Sequence, residues 1–195
     1  MFTAECVSAP IHTTSPTFGL ASATVPSALV ILNVLHLRPG YFMENQLWSI
    51  PTIKQQGVNA SPIRGDLQIL MVTTRDIGAK AASLLDALAF TGTSVVEFVG
   101  PKPLTLNEAT KILGSAISKP YLKYVQLPAE DAKKAMLGVG MKESIVDLMI
   151  EMQQAFNDNR IVPQNKPSQG PTSFEEFARI FAQAYRVADA APAQA

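Results

Sequence analysis

The sequence predicts an α/β protein built on an open, largely parallel sheet. Residues 28–37, 69–72 and 94–99 are apolar runs of strand length in which β-branched residues are common. The second and third runs are each followed by a segment with apolar residues at helical spacing. Such alternation of strand and helix patterns is typical of parallel strands joined by helices. The first run is apolar nearly throughout, which predicts a strand covered on both faces.

Composition and charge restrict the class of protein. The chain has 195 residues, of which 47% are hydrophobic and 16% charged, and this is enough for one domain with a core. Its formal net charge is zero, so no electrostatic feature favours a nucleic-acid partner. Cys6 is the only cysteine, which excludes a disulfide framework and favours a cytoplasmic location. The apolar run at 28–37 is shorter than the roughly 20 residues of a membrane helix, so no membrane partner is predicted.

The two ends of the chain lack any secondary-structure periodicity. Residues 1–25 are rich in Ser, Thr, Ala and Pro and contain no Lys or Arg. They therefore lack the basic residues of secretory and mitochondrial targeting segments. We expect residues 1–25 to form a disordered leader and residues 188–195 a disordered tail. The folded part is then predicted to extend from residue 26 to residue 187.

The first strand ends at a proline–glycine pair that aromatic residues follow. Pro39 fixes its own φ and keeps the preceding residue extended, while Gly40 permits a tight change of direction. Tyr41, Phe42 and Asn45 come next. Ligands of open α/β sheets bind at the carboxyl ends of the strands, so these residues are candidates for a binding site. The alternative is a buried strand, a turn and a packed aromatic pair.

The elements around the second strand follow from local pattern. A short helix is expected over residues 44–50, with Trp48 packed inward, and Pro51 should end it. Residues 55–65 are rich in turn-forming residues. Asp76 is expected to cap the helix that follows the second strand. The apolar face of that helix is predicted to consist of Ile77, Ala81, Leu84, Leu85 and Leu88.

Two capping boxes mark helix beginnings in the second half of the chain. Thr105 and Glu108 can each satisfy the other's free backbone N–H, so they predict the start of the helix after the third strand. Thr172 and Glu175 show the same spacing and predict the start of the last helix.

The region between these two helices is predicted to contain one strand and two helices. Residues 121–127 alternate weakly, which favours an edge strand. Helices are expected over residues 128–138 and 142–156, and a polar, Pro-rich loop over residues 157–171. The side chains expected to face inward from the second of these helices are Ile145, Leu148, Met149, Met152 and Phe156.

Several motifs of known enzymes are absent from the sequence. A dinucleotide fold usually carries a Gly-x-Gly-x-x-Gly turn whose N–H groups bind the pyrophosphate, but here only Gly138 and Gly140 share such spacing, and they lie between two predicted helices. No tyrosine is followed four residues later by lysine, so the Tyr-x-x-x-Lys pair of short-chain dehydrogenases is missing. His12 and His36 have no metal-ligating sequence neighbours, so no metal site is predicted. The sequence assigns no catalytic residue.

Four segments in a fixed order make the chain resemble the carboxyl-terminal half of the NmrA-like family, an atypical short-chain dehydrogenase/reductase group with NAD(P)-binding Rossmann domains. They are LRPGYFMEN at 37–45, TRDIG at 74–78, GPKPLT at 100–105 and SFEEF at 173–177. The resemblance implies a partial Rossmann-like, doubly wound sheet with a helical, substrate-side carboxyl-terminal part. Family members begin with a glycine-rich turn and several βα units without counterpart here, so the amino-terminal nucleotide-binding half is expected to be missing.

The resemblance also implies the location of a site. Members of the family use the strand-end Pro-Gly segment and the aromatic residues after it to wall the nicotinamide and substrate pocket. By resemblance, Pro39, Gly40, Tyr41 and Phe42 are expected to bind the cofactor, NADP or NAD. Tyr41, Phe42 and Asn45 are expected to contact the substrate.

Three functional interpretations follow from this resemblance. The first is an amino-terminally truncated reductase whose hydride transfer to a small carbonyl, quinone or imine is impaired, with weak or no NADPH binding by this chain alone. The second is a non-catalytic member, either a redox-sensing regulator or a protein-interaction module. The third is a fragment without an independent function. An open edge on the first strand would also favour a homodimer or a protein partner.

Overall fold

The computed structural model describes the backbone of residues 4–8 and 33–190 and the side chains of residues 33–188. Within these ranges the chain forms a mixed α/β structure. Its strands are β1 (Ala4–Ser8), β2 (Asn33–Pro39), β3 (Tyr41–Phe42), β4 (Val58–Ser61), β5 (Ile69–Val72), β6 (Thr93–Val99), β7 (Pro103–Leu104), β8 (Lys123–Gln126) and β9 (Ser168–Gln169). Its helices are a 3₁₀ helix (Met43–Ser49) and α1 (Ile50–Gln56), α2 (Thr74–Ala87), α3 (Leu106–Ala116), α4 (Ala129–Gly138), α5 (Glu143–Asn157) and α6 (Phe174–Ala190).

Parallel pairing dominates the sheets, as the sequence predicts. The largest sheet has the order β1-β2-β6-β9, in which β2 pairs with β6 and β6 with β9 in parallel, while β1 runs antiparallel to β2. A second sheet has the order β3-β5-β7, and β4 pairs in parallel with β8. The α/β fold class inferred from the sequence is therefore confirmed.

Strand β2 has a neighbour on each side. Residues 4–8 form β1 and pair with it, although no strand was predicted there. The prediction that β2 has an open edge is therefore wrong within the described sheet, while association with a second copy or a protein partner stays a prediction. The rest of the predicted leader, together with residues 28–32 of the predicted strand, lies outside the described residues.

The core consists of two clusters of buried apolar residues. The larger one joins β5, α1, α3 and α6, and Phe177 and Phe181 are its largest fully buried side chains. The smaller one packs α2 against β2 and β6 around Leu37 and Phe98. Both clusters contain residues from the predicted strands, because those strands are the most apolar parts of the chain.

Several predicted elements differ in their details. Pro51 does not end a helix but lies in the first turn of α1, where its missing N–H costs nothing. Residues 55–65 contain strand β4 and not only turns. The β2 strand buries Leu35 and Leu37 on one face, while its other side chains are partly exposed.

Some side chains predicted to face inward are exposed. Trp48 is 75% exposed, and on α5 the exposed fraction of Leu148 is 62%. Leu85, Leu88 and Ile145 are also exposed. In each case helical spacing predicted the element correctly, but the buried arc is narrower than the apolar face.

The ends of α2 and α6 are capped by other residues than the sequence predicts. Thr73, and not Asp76, caps α2, because its hydroxyl accepts from the Asp76 N–H. The capping box of α6 consists of Ser173 and Glu176, one residue beyond the predicted pair. The predicted box of Thr105 and Glu108 at α3 is confirmed.

Candidate functional site

The carboxyl end of β2 is where the chain changes its strand partner. Up to Pro39, β2 pairs with β6, and immediately afterwards β3 pairs with β5. Gly40 joins them, and its N–H donates to the Phe98 carbonyl oxygen at 2.9 Å. A Cβ at Gly40 would collide with the Leu70 carbonyl oxygen. Glycine is required here because two backbones approach each other closely.

A cavity of about 880 Å³ opens at this point of the fold. All the residues that the sequence assigned to cofactor or substrate line it, namely Pro39, Gly40, Tyr41, Phe42 and Asn45. Cavities that bind small molecules usually measure about 300 to 1,000 Å³. The predicted residues therefore lie together on one wall of a cavity of suitable size, and their binding roles stay a prediction.

One wall of the cavity carries a buried polar cluster. The Asn59 side-chain Nδ2 donates to Gln46 Oε1 at 3.1 Å and to Thr110 Oγ1 at 2.9 Å. Gln46 and Asn59 both line the cavity. The cluster thus connects α3 with the cavity through side chains of β4 and the 3₁₀ helix.

Two tyrosines with raised pKa values face the cavity. Burial raises the pKa of Tyr41 above its ordinary value, and the hydrogen bonds from Asn45 and Gln46 partly offset this rise. Burial also raises the pKa of Tyr124 to about 12. The Tyr124 hydroxyl lies 2.6 Å from Ser61 Oγ and hydrogen-bonds the Ile63 carbonyl oxygen. Both phenols remain protonated at neutral pH.

Another part of the cavity lining is apolar and rich in methionine. It comes from α4, α5 and the turn between them, and its members are Met136, Met141, Met149, Met152 and Phe156. The Phe156 ring meets the Tyr41 ring edge-to-face, with the centroids 5.7 Å apart. Methionine side chains are flexible and polarizable, so they adapt to flat or irregular apolar ligands.

Two buried polar atoms of cavity-lining residues have no hydrogen-bond partner in the described part of the chain. They are Arg38 Nε and Gln153 Oε1. Glu97, opposite Arg38 in the parallel register, is instead satisfied, since its carboxylate accepts from the backbone N–H groups of Gln164 and Asn165 at 2.8 and 2.6 Å. Unpaired buried polar atoms are uncommon in folded proteins, and a bound ligand is one way in which they become satisfied.

The other candidate residues do not belong to this cavity. Asp76 binds the backbone N–H and the hydroxyl of Thr172, each at 2.9 Å, so it joins α2 to the start of α6. Among the described residues, no three His, Cys, Asp or Glu side chains are grouped as a metal site would require. None of the described helices combines the length and the apolarity needed to cross a membrane.

Sequence reasoning missed several residues of the site. Gln46, Asn59 and Tyr124 reach the cavity only because β4 pairs with β8 and lies beside the 3₁₀ helix. Their hydrogen-bond partners lie up to 63 residues away in sequence. The methionines of α5 were predicted to face inward, but as core residues and not as a cavity wall. Only the spacing of these methionines could have indicated the wall.

Comparison with known proteins identifies two curated relatives. The chain is 30% identical over 160 residues to the NAD(P)H azoreductase of Xenophilus azovorans, and the match covers 78% of this chain and 54% of that protein. It is 26% identical over 156 residues to the prestalk A differentiation protein A of Dictyostelium discoideum, covering 76% and 50%. The chain therefore spans about half the length of the curated relatives it matches. No family model matches the chain.

A solved structure has a similar fold. It is the NADPH-dependent quinone oxidoreductase of Escherichia coli complexed with NADPH, with 24% identity, a TM-score of 0.61, and coverage of 72% of this chain and 50% of that one. The likeness concerns the fold, because the identity is low. The chain thus has the Rossmann-like α/β fold of NAD(P)-binding reductases, and NAD(P)H-dependent reductases are among its relatives and structural neighbours.

Proposed function

We propose that this protein is a reductase-type member of the NmrA-like group and that its cavity holds the nicotinamide end of NADPH or NADH beside a small carbonyl, quinone or imine. The observation that carries the proposal is that the whole segment from Pro39 to Asn45 lines one cavity at the carboxyl end of β2. The likeness to a relative named as an NAD(P)H azoreductase supports a reductase that uses a nicotinamide cofactor.

The residues of the cavity would bind and orient the two reactants. A bound reduced nicotinamide supplies the hydride. Gly40 lets the backbone between β2 and β3 lie against Leu70, and the residues that follow it, Tyr41 and Phe42, line the cavity. The methionine wall of α4 and α5 covers the apolar faces of the reactants and keeps water away from them. Arg38 and Gln153 offer one donor and one acceptor to polar groups of the ligands.

The proposal includes weak nucleotide binding by this chain alone. Its 195 residues contain no Gly-x-Gly-x-x-Gly turn for the pyrophosphate. Each missing charge-assisted hydrogen bond would cost roughly 1.5–3 kcal/mol of binding free energy. The family's hydride transfer is therefore proposed to be impaired here.

A non-catalytic regulator or interaction module is the second candidate. The observation that favours it is that neither the pyrophosphate turn nor a Tyr-x-x-x-Lys pair is present in the sequence. This candidate predicts binding to the cavity without turnover. Association with a second copy or a protein partner stays a proposal of the same kind, and light scattering after size exclusion tests it. A cytoplasmic location also stays a prediction.

Saturation-transfer NMR with NADPH tests the proposed nucleotide site. We expect saturation at the nicotinamide protons and little at the adenine protons, because the cavity is present and the pyrophosphate turn is not. Calorimetric titration with NADPH and NADH should show no micromolar dissociation constant. A lack of saturation at the nicotinamide protons would contradict the proposed site. A micromolar dissociation constant would contradict the proposed impairment. NADPH oxidation with duroquinone as acceptor, followed at 340 nm, separates the two candidates, because the regulator is expected to bind without turnover.

A further inference from the structure

Arg38 and Glu97 lie side by side on one face of the largest sheet. In the parallel pairing of β2 with β6, Leu37 is opposite Val96, and both pack in the smaller core cluster with α2. The next register pair is Arg38 and Glu97. Because successive side chains of a strand point to opposite faces, this pair is directed away from α2. Both residues line the cavity.

The carboxylate of Glu97 is engaged with other partners than Arg38. Its two oxygens accept from the backbone N–H groups of Gln164 and Asn165 at 2.8 and 2.6 Å, and only 7% of Glu97 is exposed. In the part of the chain that the structure describes, Arg38 forms no ion pair, and its side chain forms no hydrogen bond. Its Nε is buried, whereas its two terminal nitrogens are accessible. The guanidinium group is therefore an unpaired cation of the cavity lining.

The rest of the cavity lining indicates what such a cation would bind. Arg38 is the only lysine or arginine among the described residues that line the cavity. The lining also contains the methionines of α4 and α5 and the edge-to-face pair of Tyr41 and Phe156. One cation within an apolar and aromatic lining is complementary to an aromatic body that carries a single negative charge. A carboxylate also matches the planar guanidinium group, which can donate two parallel hydrogen bonds to it.

We propose that Arg38 is an anion-binding residue of the cavity and that the ligand it selects is an aromatic carboxylate. The proposal rests on the proposed function in one respect, namely that this ligand is the acceptor of the reductase. A phosphate group fits less well, because it carries up to two negative charges and only one cationic residue of the described chain lines the cavity. Glu97 keeps its own charge beside Arg38, so we expect the carboxylate to bind moderately and not tightly.

Equilibrium dialysis with a matched pair of probes tests this site without nucleotide. 2-Naphthoate carries the carboxylate, and 2-naphthamide has the same ring system and nearly the same shape without the charge. We expect the wild type to bind 2-naphthoate more tightly than 2-naphthamide. Inorganic phosphate at the concentration of the naphthoate should not displace it. A wild type without this preference, or displacement by phosphate, would overturn the proposal.

Variants of Arg38 test the residue itself. Arg38→Gln should weaken 2-naphthoate binding about tenfold, the lower end of what a charge-assisted hydrogen bond contributes, and leave 2-naphthamide binding unchanged. Arg38→Lys keeps the charge without the planar fork, so its loss should be smaller. Arg64→Gln is the control and should change neither affinity, because Arg64 pairs with Asp66 and lies outside the cavity lining.

The outcomes separate a binding role of Arg38 from a structural one. Equal losses for the two probes would show a purely structural role and overturn the proposal. An unchanged naphthoate affinity in Arg38→Gln would overturn it as well. If Arg38→Gln does not fold, the wild-type preference and the Arg38→Lys variant decide the question. A failed NADPH titration would contradict only the proposed nucleotide site.

Discussion

The base formed by α3, α6 and β5 differs sharply from the pair of helices α4 and α5. Phe177 and Phe181, which lie in the base, are fully buried, and α3 and α6 both begin with complete capping boxes. In α4 and α5 only Ala132 and Val146 are buried, and neither helix has a side-chain N-cap. Exposed ion pairs of Lys133 with residues of α5 join the two helices.

This difference indicates a division of roles within one chain. The base is held by buried apolar area, so its geometry is unique and rigid. The helix pair is held by surface ion pairs, which contribute little, and by methionines along the cavity. A wall of this kind adjusts to its ligand, while the base keeps the Tyr41 side of the cavity in place. The following predictions test the division, from the largest expected effect to the smallest.

A truncation in the base should have the largest effect. Phe177→Ala is expected to lower the free energy of unfolding by about 3–5 kcal/mol, because it leaves a cavity in the larger core cluster. Leu148→Ala on α5 is the matched control, and its expected effect is within about 0.5 kcal/mol since Leu148 is exposed. Urea unfolding measures both. Equal losses would show that α5 is packed as firmly as α6.

The link between α2 and α6 should have an intermediate effect. Asp76→Ala removes the acceptor of two hydrogen bonds from Thr172 and leaves buried donors unpaired. We expect a loss of about 2–3 kcal/mol in unfolding free energy. Asp86→Ala, at an exposed position of the same helix, should be near neutral. If both variants unfold at the same urea concentration, the link does not stabilise the base.

The capping box of α6 should have the smallest of the three effects. Ser173→Ala is expected to cost about 1 kcal/mol, and Glu176→Gln should destabilise where Glu175→Gln does not. Hydrogen bonds from the Ser173 backbone and hydroxyl hold the pKa of Glu176 below its ordinary value of 4.5. Because the pKa of Glu176 is lower in the folded state than in the unfolded state, its carboxylate stabilises the fold at pH values above the unfolded-state pKa. This contribution is lost as the pH falls through the folded-state pKa. Between pH 7 and pH 3 the melting temperature of Glu176→Gln should fall less than that of the wild type. The same pH dependence in both proteins would contradict this capping box.

Local chemistry allowed much of this molecule to be predicted. Strands β5 and β6 and helices α2 to α6 follow from apolar periodicity, and the Thr105 capping box follows from two residues three apart. The Pro39–Gly40 segment was identified because proline and glycine restrict the backbone whatever surrounds them. All of these signals act within a few residues along the chain, so the sequence by itself determines them.

Only the tertiary structure decided which of equivalent residues do a given task. Thr172 and Ser173 have nearly the same capping chemistry, but Asp76 approaches from α2 and binds Thr172, so Ser173 becomes the cap. Trp48 lies outside because the buried face of its short helix is occupied by Met43 and Gln46. The buried cluster of Thr110, Asn59 and Gln46 brings together three elements, and its Asn59–Thr110 bond joins residues 51 positions apart. No local pattern encodes such a bond, because it forms only when the strands and helices are packed together.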